Sequence, residues 1–133
     1  MATTAQPSLL AHLQQVFPKE DRFLLLSSLV LQLVLGLLFG HAYDQRINMA
    51  TGYLVATGHD PYIPLDLTVV FHNPAFQGMT TIGNPPPWPV VLGLIYLCSY
   101  AIFHNLLLYN LAIKLPIIAA NLGLAYLVRA VLK

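Results

Sequence analysis

The sequence predicts an all-α membrane protein: about three transmembrane helices and one large extracytoplasmic loop that carries a short interfacial helix. Three observations lead there. First, 57% of the 133 residues are hydrophobic and only 8% are charged, against roughly 25% charged in ordinary soluble domains. A soluble fold this short must cover a large surface with polar groups, and this chain has too few. Second, long uncharged runs lie on both sides of a polar centre. Third, that centre, His41 to Pro89, holds three of the five acidic residues and three of the five histidines. The formal net charge of +1 gives no basic field for nucleic acid. The single cysteine, Cys98, sits in an apolar run and reads as a small buried hydrophobe.

Residues 1–22 form a cytoplasmic head. Leu9, Leu10, Leu13, Val16 and Phe17 fall at near-helical spacing, which suits a surface-lying amphipathic turn or a solvated cap on the next helix. Pro18 ends it, and Lys19 to Arg22 make a charged collar. The first span runs over about residues 23–43. Its uncharged stretch is longer than the 7–15 residues or so of a signal-peptide core, which favours an uncleaved span. Gln32 within it reads as helix-packing glue.

The loop occupies residues 41–89. From Asp44 to Thr57 it has helical character, with Ile47, Ala50 and Leu54 on one face. Gly52 weakens that helix. Gly58 then supplies a C-terminal stop, and Pro61 follows. The tract from Ile63 to Gly83 is long for a structureless connector. Its aromatics, with Val69 and Val70, argue for order against the membrane face. Pro85 to Pro89 lead into the second span, about 89–108, since proline suits a helix's first turn. His104-Asn105 marks a break near its end. The third span covers about 111–131, with Asn121 expected to hydrogen-bond to a neighbouring helix. Lys19 and Arg22 beside the first span favour a cytoplasmic N-terminus. Three crossings would then carry Arg129 and Lys133 outward.

Asp44 is the sharpest candidate. A carboxylate at the membrane boundary can accept a proton from an acceptor hydroxyl, or hold a divalent cation beside a phosphate. It can equally be the N-cap of the helix that starts there. Arg46 can pair with Asp44, with a phosphate, or with lipid headgroups. His59 and Asp60 precede Pro61-Tyr62, and Asp before Pro is common turn chemistry. His41, His59 and His72 have no metal-helix spacing. His104 can be an axial ligand or simply the end of a helix. Lys114, near Pro116, can meet a lipid phosphate or snorkel to the interface. No Gly-rich phosphate loop and no elbow serine occurs.

Taken in order, Tyr43-Asp44, Tyr53, Gly58-His59-Asp60-Pro61-Tyr62, Asn84 to Pro89, and Lys114-Leu115-Pro116 with Asn121 resemble the N-terminal part of GT-C class glycosyltransferases. These are multi-spanning membrane enzymes that use polyprenyl-phosphate sugars, and the mannosyltransferase-like bacterial and archaeal subgroup is the most similar in look. The resemblance covers about residues 23–131. It implies an integral protein of a prokaryotic plasma membrane. It implies Asp44 as catalytic base, with Arg46, His59, Asp60, Tyr62 and Lys114 as candidate substrate-binding residues, and a polyprenyl-phosphate sugar as donor. It leaves the cofactor open, and a divalent cation is compatible with it. Two departures stand out. Members often carry an acidic residue where this chain has Asn121, and they run to several hundred residues with more spans. The resemblance therefore implies a fragment, or a short relative that needs a second membrane polypeptide. Alone, the chain is expected to be inactive. The alternative is a small non-catalytic membrane subunit of a larger complex.

Overall fold

The computed structural model describes residues 19–79 and 85–131. The proposed amphipathic head, Asn84 and Lys133 lie outside the described residues. The order of elements is α1 (Lys19–Leu38), α2 (Ala42–Ala56), α3 (Thr68–Phe71), a 3₁₀ turn (Pro74–Phe76), α4 (Pro87–Cys98), α5 (Tyr100–Phe103) and α6 (Leu106–Val131). Among the described residues the only β pairing is an isolated bridge between Leu65 and Met79. The chain is all-α.

Among the described residues two helices are long and apolar enough to cross a membrane, by length and composition: Asp21–Leu38 and Leu106–Arg129, each of mean hydropathy 1.8. They correspond to the first and third predicted spans. The first ends at Leu38, earlier than residue 43, and the third begins at Leu106, earlier than residue 111. The second predicted span is a shorter apolar stretch, Pro87–Phe103, of 17 residues. It is interrupted at Ser99, whose φ of −129° and ψ of −80° leave the helical region. At 1.5 Å per residue this stretch reaches only about 26 Å, short of a hydrocarbon core of about 30 Å.

α1 and α6 pack together as an antiparallel hairpin. Three polar contacts hold it. Asp21 meets Arg129 at 2.6 Å. Asn121 donates to Gln32 at 3.1 Å, and Gln32 in turn donates to Ser28 at 3.0 Å. Lys114 donates to the carbonyls of Gly36 and Phe39, the latter at 2.8 Å. The predicted helix-to-helix roles of Gln32 and Asn121 are thus met by one another. Tyr109, Ile113 and Ile118 of α6 are buried, but much of the hairpin's outer surface is apolar and exposed: Phe23 is 70% exposed, and Leu24, Leu26, Leu124 and Leu127 are exposed as well. Left in water, each such side chain would forgo up to about 1.5–3 kcal/mol.

The remaining elements form a packed unit on one end of the hairpin. α2 and α4 run parallel, because their contacts rise together in number: Trp88 donates to Asn48 (3.4 Å), Leu92 faces Gly52, and Gly93 faces Val55. Small residues allow this approach. A β-carbon on Gly52 would lie 2.7 Å from the Leu92 carbonyl oxygen, and one on Gly93 would lie 2.9 Å from Val55 Cγ1. The glycine that weakened the helical pattern in sequence is therefore a point of close packing. Ile47, Ala50 and Leu54 are buried on the face expected of them, together with Leu67, Phe71, Phe76, Leu92 and Tyr109.

Helix ends follow their local signals. α2 stops in a Schellman turn: Gly58 adopts φ 74°, the His59 amide donates to Leu54 O (2.8 Å), and the Gly58 amide donates to Val55 O (3.2 Å). Its beginning corrects the sequence expectation. The helix starts at Ala42 with His41 at the N-cap position, so Asp44 lies in the first turn and is not the cap. His104, at φ 51°, closes α5, and the Asn105 side chain accepts from the Leu108 amide (3.0 Å) at the start of α6. The expected break at His104-Asn105 is a C-cap followed by an N-cap. That local role accounts for His104 without any ligand.

Candidate functional site

Asp44 stands just past the end of α1, on the first turn of α2. A carboxylate there complements the positive end of the helix. Its side chain is 66% exposed, and the partner it has is His41 Nδ1, 3.1 Å away. No wall encloses it among the described residues. An acceptor hydroxyl can therefore approach it from solvent.

Arg46 lies two positions further on. At about 100° per residue this puts it roughly 200° around the helix from Asp44, on the opposite face. Ala42, Gln45, Arg46 and Met49, at i, i+3, i+4 and i+7, line one side of a cleft of about 280 Å³. Asn73, which caps the 3₁₀ turn, Phe76 within it, and Leu106, Leu107 and Asn110 from α6 line the rest. The cleft holds one guanidinium and three amide side chains and no carboxylate. Asn73 is committed in part, since its side-chain oxygen accepts from the Ala75 amide (2.9 Å). A guanidinium with amide neighbours can receive an anionic group such as a phosphate.

Lys114 has a role that sequence reasoning missed. Its ammonium donates to carbonyls in the last turn of α1 and just beyond it. The final carbonyls of any helix lack intrahelical partners, and a cation there also meets the negative end of the helix dipole. Lys114 thus caps α1 from a distant part of the chain, a contact that residue spacing cannot signal.

His59, Asp60 and Tyr62 lie at the far end of α2, about a helix length of 22 Å from Asp44. His59 Nδ1 shares a 2.8 Å hydrogen bond with Thr57 Oγ1, and its ring stacks on Tyr53. Asp60 accepts from the Tyr62 amide at 2.8 Å, the turn chemistry that its place before Pro61 suggests. The structure therefore divides the six candidates. Asp44, Arg46 and Lys114 gather where α1, α2 and α6 meet, and the other three form a separate corner.

Between these places runs an aromatic core. Tyr53, Phe71, Tyr96, Tyr100 and Tyr109 lie with neighbouring ring centroids 5.2 to 6.4 Å apart. The Tyr109 hydroxyl donates to Met49 O (2.9 Å) and the Tyr100 hydroxyl to Val70 O (3.3 Å), so both buried polar ends are satisfied. This core fixes the positions of α2 and α6, and through them the Arg46 cleft. Asp66 marks the start of α3: hydrogen bonds from Thr68, including its amide at 2.9 Å, hold the Asp66 carboxyl below its ordinary value. No group of three or more His, Cys, Asp or Glu that could hold a metal forms among the described residues. Asp44 and His41 are two groups, too few for a divalent site built by protein alone.

The chain matches no known family profile, no curated protein and no solved structure.

Proposed function

We propose that the chain is part of a membrane glycosyltransferase, one that moves a sugar from a polyprenyl-phosphate donor to an acceptor hydroxyl outside the cytoplasm. The observation that carries this reading is the placement of Asp44. Its carboxylate is exposed, sits one short connection after an apolar helix of span length, and is restrained by a single side chain, His41. In the reaction, Asp44 takes the proton of the acceptor hydroxyl. The oxygen bonds to the anomeric carbon as the bond from that carbon to the phosphate oxygen breaks, and polyprenyl phosphate leaves. Phosphate is a competent leaving group, so positioning and base catalysis are what the protein must add. The Arg46 cleft, free of carboxylates, suits an anionic group such as a lipid phosphate, but it lies on the far side of α2 from Asp44 and is not where the reacting phosphate leaves.

Asp44 and Arg46 face opposite sides of α2. The wall that brings donor and acceptor together in front of Asp44 is then supplied by further membrane helices, in the same protein or in a partner. The test uses the chain in its native membrane with whatever co-purifies. Radiolabelled polyprenyl-phosphate mannose is the probe donor, and label is followed into lipid, protein and glycan fractions. Asp44→Asn is expected to lower transfer by about 10²- to 10⁴-fold, the usual worth of a general base, at unchanged abundance. Retained transfer removes Asp44 from that role.

A second reading, a non-catalytic membrane subunit, is favoured by the opposed faces of Asp44 and Arg46 and by the exposed apolar residues of α4. It predicts a stable heteromeric complex whose purified form transfers no sugar and in which Asp44→Asn changes nothing.

A further inference from the structure

The order of contacts between α1 and α6 decides where the intervening chain can go. Asp21, at the start of α1, meets Arg129 at the end of α6. Gln32 meets Asn121, and the carbonyls of Gly36 and Phe39 meet Lys114. The chain therefore leaves the hairpin after Phe39 and rejoins it at Lys114 on the same end. If α1 and α6 each cross a bilayer, the residues between them make no net crossing.

That places α4 and α5 in a specific position. Pro87–Phe103 contains no charged residue. Its inner side, with Pro89, Leu92, Gly93 and Tyr100, is buried. Its outer side carries Val90, Leu94, Leu97, Ile102 and Phe103, all exposed. This apolar surface continues onto α6, because Cys98 and Ser99 border a groove with Leu115, Pro116 and Ala119. Those residues adjoin Lys114, at the level where α1 ends.

We infer that the chain crosses the membrane twice between Asp21 and Arg129, that both of these residues emerge on one face, and that α4 and α5 lie half-embedded in the opposite leaflet with Val90, Leu94, Leu97, Ile102 and Phe103 against lipid. The inference rests on reading α1 and α6 as spans. Charge agrees with it. Lys19, Arg22 and Arg129 fall on one face with Glu20 and Asp21, while Arg46 and Lys114 share the other with Asp44, Asp60 and Asp66. Lys19 and Arg22 beside the first helix, with Arg129, favour the first face as the cytoplasmic one.

Single cysteines introduced in a Cys98→Ser background test this in sealed vesicles of known orientation, with a membrane-impermeant maleimide. Arg22→Cys and Val131→Cys are expected to react from one face, and His59→Cys and His104→Cys from the other. Three crossings would put position 131 with position 59 and position 104 with position 22, and either result overturns the inference. If His104→Cys does not fold, the position 131 arm decides alone. A spin label at Leu94→Cys is expected to be more accessible to oxygen than to a water-soluble nickel complex, and the reverse order overturns the lipid contact. Release of the unaltered chain by alkaline carbonate would separately overturn the membrane reading beneath it.

Discussion

Gly52 and Gly123 are both glycines in helices, and the space around them differs. A β-carbon at Gly52 would run into the Tyr109 hydroxyl and the Leu92 carbonyl, while one at Gly123 meets nothing within 4 Å. Neither obstacle at Gly52 moves cheaply: one is backbone, and the other is a buried ring bonded to Met49 O. Gly52→Ala should therefore cost about 1–3 kcal/mol, the range for overpacking, despite its better helix propensity. Gly123→Ala should stabilise by up to about 1 kcal/mol, because propensity is all that changes. Thermal unfolding of both variants in detergent checks the pair, and opposite signs are the expected outcome. Asp66 makes a second claim at this scale. Its carboxyl is lowered by bonds from Thr68 that favour the ionised form. A lowered folded value means that the stabilisation is present above the unfolded carboxylate value of about 3.9 and is lost as pH falls through the folded value. A carboxyl-carbon titration by NMR should place the Asp66 midpoint below that reference. Asp66→Asn should remove the dependence in the acid range and, near neutral pH, the part of the stabilisation that the ionised carboxylate supplies.

Elements show what residue spacing can and cannot carry. The buried face of α2 and its stop at Gly58 are legible in sequence because periodicity and left-handed glycine are local properties. Gly58→Ala should cost about 1–2 kcal/mol, since a β-carbon is strained at φ 74°, and amide exchange should rise first at Thr57 to His59. The break at His104-Asn105 is legible for the same reason. The parallel contact of α2 with α4 is not, because it depends on which glycine faces which backbone across a long connection. The N-cap of α2 lies three residues before Asp44, at His41, and is not legible because His is an uncommon cap, whereas Asp is a favoured one. The separation of Asp44 from Arg46 was available from their spacing alone, since positions two apart on a helix face apart. Lys114 was legible only as a charge near a membrane boundary. Its partners are carbonyls of another helix, and backbone oxygens leave no mark in residue identity. Lys114→Met should loosen the end of α1 by about 1.5–3 kcal/mol, the worth of hydrogen bonds to a charged group. Amide exchange over Leu35 to Gly40 measures it, and unchanged exchange would rule out the cap.

At the scale of the whole molecule, the hairpin decides between two ways of threading the chain. With two crossings, residues 21 and 129 are neighbours on one face. With three, they stand on opposite faces with a hydrocarbon core of about 30 Å between them, and no direct interaction survives that distance. Under the two-crossing proposal, the Asp21–Arg129 contact is a consequence of topology as well as a local ion pair. Its side chains are 25% and 41% exposed, so solvent screens the pair and its worth is modest, about 0.2–1 kcal/mol. A double-mutant cycle isolates that small quantity from the effects of each change on its own helix. Asp21→Arg places two guanidinium groups side by side and should destabilise, as should Arg129→Asp, which opposes two carboxylates. The exchanged variant, Asp21→Arg with Arg129→Asp, restores unlike charges and should recover most of the loss while leaving the net charge of that face unchanged. Unfolding in detergent reports all four species. A coupling that vanishes while both single variants fold would place the two residues apart and, with them, the two ends of the hairpin.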